Sequence, residues 1–312
     1  MKQERKLISI VVPVYNEQDC LQTLYERTTA VMERLSDYAY EIVFFDDGSV
    51  DNSRRVITAI CERDEHCKAV FLARNYGYNI AIFHAMQQAK GDCAVLLHAD
   101  LQNPPEVIPE FVAQWEQGHD VVFGIKNKSK ENRIMYSFRT LAYWTMNGVF
   151  GMHLIPHATD FELVDKSMIK ALRSISRSEP ILRIILQKNA RNPKRVYYVQ
   201  DRRIAGKSAF NLKKYYELAV SWIVASSTVL PRRFLCVGLV MFVASLVELF
   251  AGFLPHIEKF TYANISTPLM VRLLFIMFAV MVCFAAVMGE YLFKSYQNVQ
   301  PTPVCEDKRI HY

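Results

Sequence analysis

The sequence lacks the patterns that mark several common protein classes. Its seven cysteines are odd in number and form no Cys-x-x-Cys pair, which favours free thiols of a reducing compartment over disulfides or a zinc site. No Gly-x-Gly-x-x-Gly follows the first apolar run. Asp201 stands where a phosphate loop ending in Gly206-Lys207-Ser208 requires its leading glycine. The common dinucleotide-binding and phosphate-loop fingerprints are therefore absent.

The chain also opens without a recognisable signal peptide. Residues 1–6 are mostly charged or polar, and the apolar run Leu7 to Val14 is short and closed by Tyr15-Asn16-Glu17. We therefore expect the amino-terminal part to be cytoplasmic.

The net charge of +6 is unevenly distributed along the chain. Residues 234–312 contain five basic and five acidic residues, so the excess belongs to residues 1–233. Lys188 to Lys214 holds nine basic residues against one acid, Asp201. Because this segment precedes long apolar runs, we expect it to face anionic lipid headgroups or a phosphate-bearing substrate, rather than nucleic acid or solvent alone.

Residues 7–124 alternate between short apolar runs and amphipathic stretches. This alternation predicts an α/β fold in which right-handed crossovers build a mostly parallel sheet covered on both faces. The predicted strands are Leu7 to Val14, Glu41 to Phe45, Ala69 to Leu72, Ala94 to Leu97 and Asp120 to Phe123. The predicted helices lie near 18–36, 52–64, 79–89 and 105–117.

Polar side chains follow three of these strands. The first strand leads into Tyr15 and Glu17, the second into Asp46-Asp47-Gly48-Ser49, and the fourth into His98-Ala99-Asp100-Leu101-Gln102. Ligands of open α/β sheets bind at the carboxyl edge, where these ends meet. On an extended segment, the oxygens of Asp100 and Gln102 would face the same way and suit a hard divalent cation.

Four runs together carry a resemblance to a known family. The runs are Val11-Val12-Pro13-Val14-Tyr15-Asn16-Glu17, Asp46-Asp47-Gly48-Ser49-Val50-Asp51-Asn52-Ser53, Arg74-Asn75-Tyr76-Gly77 and Asp100-Leu101-Gln102-Asn103-Pro104-Pro105. They resemble family-two glycosyltransferases with the GT-A fold, and within these the polyprenyl-phosphate glycosyltransferases, a group that contains dolichyl-phosphate mannose synthase and bactoprenol glucosyltransferases. The resemblance implies that Asp100 and Gln102 hold Mg²⁺ or Mn²⁺, and that a nucleotide is held by Pro13, Tyr15, Glu17, Asp46 and Asp47.

Two positions depart from the family pattern. His98 stands where relatives usually have an aspartate, and we expect its imidazole to hydrogen-bond the ribose or diphosphate of the nucleotide sugar. Asp160-Phe161-Glu162 resembles the family's Asp-Phe-Arg run, so Glu162 replaces an arginine. A carboxylate there is expected to repel a phosphate instead of binding it.

The acceptor side is predicted within residues 127–165. Arg133 and Arg139 lie on or beside a segment, Met135 to Val149, that carries aromatic residues at roughly helical spacing. Aromatic rings at headgroup level beside arginines suit a prenyl phosphate, although an ordinary amphipathic helix on the core would show the same spacing.

A further loop resembles the family segment that closes over the sugar donor. It runs from Arg203 to Phe210, with Gly206 as a hinge. Arg203, Lys207 and Ser208 are expected to reach the diphosphate of the donor.

Two long apolar runs follow. Phe234 to Leu254 contains one charge, Glu248, and Leu273 to Gly289 contains none, so both are predicted to be transmembrane helices. The distribution of Lys and Arg around them places both ends in the cytoplasm. The predicted organisation is a GT-A domain (1–211), an interfacial helix (212–233), a transmembrane hairpin (234–293) and a cytoplasmic tail (294–312). The small residues of the anchor leave room for a homo-oligomer.

The function expected from the resemblance is an inverting, metal-dependent transfer of a hexose from a nucleotide diphosphate sugar to polyprenyl phosphate at the inner membrane. The residues expected to carry the reaction are Asp100, Asp160, Arg139 and Arg203. One alternative acceptor is a sugar hydroxyl of a lipid-linked glycan, for which Asp160 or Glu162 would act as the base. A degenerate nucleotide-sugar-binding membrane protein is the other alternative.

Overall fold

The computed structural model describes most of the first 201 residues and parts of the remainder. The described residues are 5–126, 140, 143–148, 155–156, 158–175, 180–201, scattered positions between 274 and 296, and the backbone of 306–310. The chain forms two compact units. The first comprises Met1–Thr140, Leu154–Asn211 and Asn298–Tyr312, and the second comprises Leu141–His153 and Leu212–Gln297.

One mixed sheet organises the first unit. Its eight strands are β1 (Leu7–Val14), β2 (Ala39–Asp46), β3 (Cys67–Leu72), β4 (Cys93–Leu96), β5 (Val121–Lys126), β6 (Ala158–Asp165), β7 (Pro193–Tyr198) and β8 (Glu306–Ile310). Their spatial order is β7-β5-β6-β4-β1-β2-β3-β8. β6 runs antiparallel to both of its neighbours, β4 and β5, and β8 runs antiparallel to β3. The remaining neighbours in this sheet pair in parallel.

Helices cover both faces of this sheet. They are α1 (Leu21–Arg34), α2 (Ser53–Cys61), α3 (Tyr78–Gln88), α4 (Ile108–Glu116), α5 (Lys166–Arg173) and α6 (Leu182–Asn189), with a 3₁₀ turn at Pro105–Val107. Buried residues of α1, α2 and α4 share one hydrophobic cluster with the sheet, and those of α3, α5 and α6 share a second. Successive residues of a strand point to opposite faces, so Val12 joins the first cluster and Val11 the second.

The predicted α/β architecture is confirmed for residues 7–124. All five predicted strands and four predicted helices are present, with ends displaced by a few residues. The strands β6, β7 and β8 and the helices α5 and α6 were not predicted. The antiparallel insertion of β6 between β4 and β5 matters most, because it brings the beginning of β6 to the edge where β1, β2 and β4 end.

The predicted transmembrane hairpin falls largely outside the described residues. Phe234 to Leu254 lies wholly outside them, as does the interfacial segment 212–233. Among the residues that are described, no helix has the length and apolar character needed to cross a membrane. The described positions between Leu274 and Tyr296 are helical, and several large apolar side chains among them are exposed, including those of Leu274, Phe278, Met281 and Leu292.

The turn after β2 depends on a glycine at one position. Gly48 has φ +67°, and a Cβ atom there would lie 2.4 Å from the carbonyl carbon of Arg74. The turn therefore packs directly against the backbone that leads to α3. Both the left-handed conformation and this close approach require glycine.

We expect Gly48→Ala to destabilise the protein by about 3 kcal/mol, because it combines an unfavourable φ with a backbone clash. Gly118→Ala is the matched control, since Gly118 also has positive φ (+89°) but has nothing within 4 Å of its added Cβ. That control should lose only about 1 kcal/mol. Equal losses in thermal or denaturant unfolding of the two purified variants would contradict the packing argument.

Candidate functional site

The turns after β1 and β2 form one wall of the candidate site. Asn16, with φ +56°, donates its backbone N–H to Ser49 Oγ at 2.9 Å, and its Oδ1 accepts the Val50 N–H at 2.9 Å. The Glu17 N–H donates to Ser53 Oγ at 3.0 Å. These reciprocal bonds fix the two turns to each other at the carboxyl edge of the sheet.

Three residues predicted to bind nucleotide lie along this wall. Pro13 and Glu17 are half-buried, and Tyr15 has 45% of its surface exposed. The Asp47 N–H donates to the Val14 carbonyl oxygen at 2.9 Å, so Tyr15 and Asp47 leave the sheet at the same level. The predicted convergence of the two strand ends is therefore present, and the nucleotide contacts themselves stay predictions.

The paired aspartates at the end of β2 are buried. Asp47 accepts the N–H groups of Tyr76 and Gly77 at 2.8 and 3.0 Å, and it is 2% exposed. Asp46 Oδ2 accepts the Ser49 N–H at 3.2 Å, whereas its buried Oδ1 has no hydrogen-bond partner among the described residues. Burial raises the pKa of both carboxyls. Their observed role is to fix the turns around the site, and their contact with a nucleotide stays a prediction.

The predicted metal-binding run is a tight turn and not an extended segment. Leu101 is fully buried and has φ +60°, a left-handed conformation that is uncommon for leucine. The turn lets Asp100 Oδ1 accept the Gln102 N–H at 3.1 Å. Asp100 and Gln102 are thus brought together, but the prediction that strand alternation would do so was wrong.

These two residues offer a donor set that fits a small divalent cation. Asp100 is half-buried and has no ion-pair partner among the described residues. No cluster of three or more His, Cys, Asp or Glu side chains suited to a metal occurs in the described part of the chain. One carboxylate and one amide oxygen match the way Mg²⁺ binds, with few protein ligands and the remainder supplied by phosphates and water.

A second cluster lies beside this turn and joins β6 to α3 and α6. The Tyr78 hydroxyl donates to Asp160 Oδ2 at 2.5 Å, and its ring stacks on His98 with centroids 5.8 Å apart. Arg183 Nε donates to Asp160 Oδ1 at 2.8 Å, and Arg183 Nη2 forms an ion pair with the same oxygen, also at 2.8 Å. His98 and Asp160, predicted separately, therefore meet at one place.

The environment of Asp160 favours its ionised form. Burial acts to raise the pKa of Asp160, but the charge of Arg183 and the hydrogen bonds from Tyr78 and Arg183 outweigh it and hold the pKa below its usual value. Both carboxylate oxygens already accept hydrogen bonds. Asp160 is consequently a weak base.

Comparison with known proteins identifies the family. The model of the glycosyl transferase family 2 domain matches residues 9–171, which is more than half of the chain. The chain belongs to glycosyl transferase family 2. It is 32% identical to the undecaprenyl-phosphate 4-deoxy-4-formamido-L-arabinose transferase of Serratia proteamaculans (strain 568), over 96% of this chain and 92% of that protein.

A second relative of this family 2 glycosyltransferase agrees with that assignment, and a solved structure shows the same fold. The chain is 30% identical to the bactoprenol glucosyl transferase of Shigella phage SfII, over 97% of this chain and 98% of the phage protein. A crystal structure of glucosyl-3-phosphoglycerate synthase from Mycobacterium tuberculosis, in complex with Mn²⁺, UDP-glucose and phosphoglyceric acid, has the same fold. The superposition covers 70% of this chain and 78% of the mycobacterial chain, with 18% sequence identity and a TM-score of 0.50. The predicted GT-A fold is confirmed.

Glu162 in this glycosyltransferase differs from expectation. Its side chain is fully buried, and neither carboxyl oxygen has a hydrogen-bond partner in the described part of the chain. Burial, reinforced by the nearby charge of Asp160, raises its pKa well above the usual value, while Arg183 acts in the opposite direction. Full burial and a raised pKa favour the neutral form of Glu162, which is poorly suited to repel a phosphate or to act as an accessible base.

Sequence reasoning missed two residues of the site. Tyr78 comes directly after the Arg74–Gly77 run, as the first residue of α3. Its place next to this run could have indicated a residue of the site. Arg183 lies on α6 outside any motif, and no local pattern distinguishes it from other surface arginines. The contact of Arg183 with Asp160 is seen only in the folded protein, where α6 packs against the face of β6 that carries Asp160.

Several predicted residues fall outside the described part of the chain. They are Arg133, Arg139, Arg203, Lys207 and Ser208. Within the predicted acceptor segment, residues 143–148 are helical and Trp144 has 67% of its surface exposed. The roles of these arginines and of the donor loop stay predictions.

We expect Glu162→Gln to stabilise the protein at neutral pH. The unfolded chain ionises Glu162 above about pH 4.3, whereas the folded chain keeps it protonated to a higher pH because its pKa is raised. The wild-type protein therefore loses up to about 1.4 kcal/mol per pH unit between these two pKa values, and the glutamine variant does not. Unfolding measured at pH 5, 6 and 7 should show a difference that grows with pH.

The control for this experiment is Glu33→Gln, an exposed position on α1. This variant should differ from the wild type by a small and nearly constant amount over the same pH range. A constant difference for Glu162→Gln as well would mean that Glu162 is ionised in the folded protein.

Proposed function

We propose that this family 2 glycosyltransferase is a membrane-anchored, inverting enzyme that transfers a sugar, expected to be a hexose, from a nucleotide diphosphate sugar to polyprenyl phosphate. The names of the two relatives described above support a polyprenol-linked acceptor, and they differ in the sugar. The single observation that carries the choice of acceptor is the environment of Asp160.

The environment of Asp160 and Glu162, the two candidate bases on β6, supports the choice of a phosphate acceptor. A sugar hydroxyl must lose its proton to a base, whereas a phosphate monoester has a second pKa of about 6 and is already an anionic nucleophile near neutrality. Asp160 is ion-paired with Arg183 and has a lowered pKa, and Glu162 is fully buried and has a raised pKa. Neither is suited to deprotonate a hydroxyl, so this arrangement favours a phosphate acceptor.

In the proposed reaction, a phosphate oxygen of the acceptor attacks the anomeric carbon of the donor. The bond from that carbon to the diphosphate oxygen breaks, and its electron pair leaves with the nucleoside diphosphate. A single displacement of this kind inverts the anomeric centre. Asp160, fixed by Tyr78 and Arg183, is placed to orient the sugar beside His98.

Asp100 and Gln102 would hold Mg²⁺ or Mn²⁺ in this enzyme. A divalent ion bound there supplies positive charge to the departing diphosphate. The Mn²⁺ and UDP-glucose bound in the mycobacterial crystal structure support a cation beside the nucleotide, although that likeness itself shows only the fold. The identity of the ion is part of the proposal.

The location that we propose is the cytoplasmic membrane, with residues 234–254 and 273–289 as the spans. Exposed apolar side chains at described helical positions such as Phe278 and Met281 support burial of this segment in lipid. The pairing of β8 with β3 supports an even number of crossings, because it returns residues 306–310 to the sheet of the amino-terminal unit. Both ends would then lie on the cytoplasmic side.

The decisive assay uses the purified full-length protein in membranes that contain undecaprenyl phosphate, with Mg²⁺ or Mn²⁺ and a panel of radiolabelled nucleotide sugars. We expect label in the organic phase that requires both the metal and the lipid phosphate. Asp100→Ala should abolish it, because that change removes the only proposed carboxylate ligand. Wild-type turnover in Asp100→Ala would refute the assigned metal role.

The pH dependence of the same assay discriminates between acceptors. For a phosphate acceptor, the rate should increase with pH around pH 6, as the acceptor phosphate loses its second proton. The same increase should be seen in Asp160→Asn, even if that variant is slower at every pH. Loss of this increase in Asp160→Asn, or label found only with a lipid-linked glycan, would favour a hydroxyl acceptor. Nucleotide binding with no turnover on any acceptor would favour a degenerate binder.

Membrane topology can be tested by labelling introduced cysteines in intact cells with an impermeant maleimide. Ser266→Cys, between the proposed spans, should be labelled above the wild-type background. Asp37→Cys, at an exposed position between α1 and β2, should react only after the cells are opened. Labelling of both in intact cells, or of neither, would contradict the proposed orientation.

A further inference from the structure

The turn that carries Asp100 and Gln102 is bonded to residues just after β7. Gln102 Oε1 accepts a hydrogen bond from Gln200 Nε2 at 2.6 Å, and the Gln102 carbonyl oxygen accepts the Asp201 N–H at 3.0 Å. Next to this pair, the Tyr198 hydroxyl donates to the buried Asn103 Oδ1 at 2.7 Å. Gln102 is thus attached to the end of β7 through both its side chain and its backbone.

An ion-pair bridge holds the same region from the other side. Arg27 on α1 donates to Glu106 at 2.7 and 3.0 Å, and also to Asp201 at 3.2 Å. Glu106 lies four residues after Gln102, in the 3₁₀ turn, and Asp201 follows Gln200. Arg27 therefore links the segment that contains Gln102 to the segment that contains Gln200. The position of Gln200 relative to Gln102 is therefore set by tertiary contacts, and not by an isolated side-chain encounter.

We propose that Gln200 is a positioning residue for the metal ligand Gln102, an inference that rests on the metal role given above. An amide oxygen has two lone pairs, so Oε1 of Gln102 can accept the Gln200 N–H and still offer a lone pair to a cation. Without that donor, the Gln102 amide is free to turn its NH₂ group toward the site, and an NH₂ group cannot bind a metal. The hydrogen bond from Gln200 therefore favours the orientation in which Gln102 Oε1 faces the metal site.

The substitution Gln200→Glu separates this role from packing and from charge. Glutamate has nearly the same size as glutamine but donates no hydrogen bond when ionised, so it attracts the NH₂ group of Gln102 instead of its oxygen. Its negative charge by itself would strengthen cation binding. Weaker Mn²⁺ binding in Gln200→Glu would therefore be the opposite of the effect expected from charge, and would indicate that the orientation of the Gln102 amide has changed.

The experiment measures Mn²⁺ affinity directly, from the paramagnetic resonance signal of free Mn²⁺ titrated against the purified full-length protein, with and without UDP. We expect Gln200→Ala and Gln200→Glu to weaken binding by about 10- to 100-fold, the usual effect of removing a partner that orients a metal ligand. Gln117→Ala, an exposed glutamine after α4, is the matched control and should bind as the wild type does.

A double-mutant cycle with Gln102→Ala tests whether Gln200 acts through Gln102. If it does, Gln200→Ala should have no further effect on Mn²⁺ affinity once Gln102 is alanine. Additive losses, or unchanged or tighter binding in Gln200→Glu, would overturn the inference while leaving the metal role intact. Failure of the wild-type protein to bind Mn²⁺ with or without UDP would overturn both.

Discussion

The antiparallel placement of β6 between β4 and β5 is the constraint on which the candidate site depends. A parallel strand in this position would bring its carboxyl end to the functional edge, whereas β6 brings its beginning, with Asp160. Because side chains alternate along a strand, Asp160 and Glu162 share one face but lie at different depths. Asp160 therefore reaches Tyr78 and Arg183 at the rim, and Glu162 is fully enclosed.

This difference in depth explains the opposite behaviour of the two carboxyls. Burial penalises the charge of both, but only Asp160 receives hydrogen bonds and a bonded guanidinium that compensate for the loss of water. Arg183 favours the ionised form of Asp160, whereas burial favours the neutral form of Glu162. A phosphate acceptor would thus approach a region in which the charges of Arg183 and Asp160 balance each other and burial disfavours a charge on Glu162.

The metal-binding turn illustrates how a locally unfavourable conformation is maintained. Leu101 adopts φ +60°, which is uncommon for a residue with a branched side chain, but its side chain is completely buried in the core cluster beneath α4. Burial of that side chain offsets the backbone strain. Asp100 and Gln102 are consequently held on either side of the buried Leu101, and hydrogen bonds from Gln200 and Asp201 hold Gln102 in place.

The α/β fold of residues 7–124 and the convergence of Tyr15, Asp47 and Asp100 at one edge could be predicted from the sequence, because hydrophobic periodicity and strand ends are local properties. The glycosyltransferase family was also recognisable from contiguous runs. The ion pair of Asp160 with Arg183, the burial and raised pKa of Glu162 and the left-handed turn at Leu101 are seen only in the folded protein. These features depend on the distances and depth of burial that arise when α3, α6 and β6 pack together, and a linear sequence does not specify them locally.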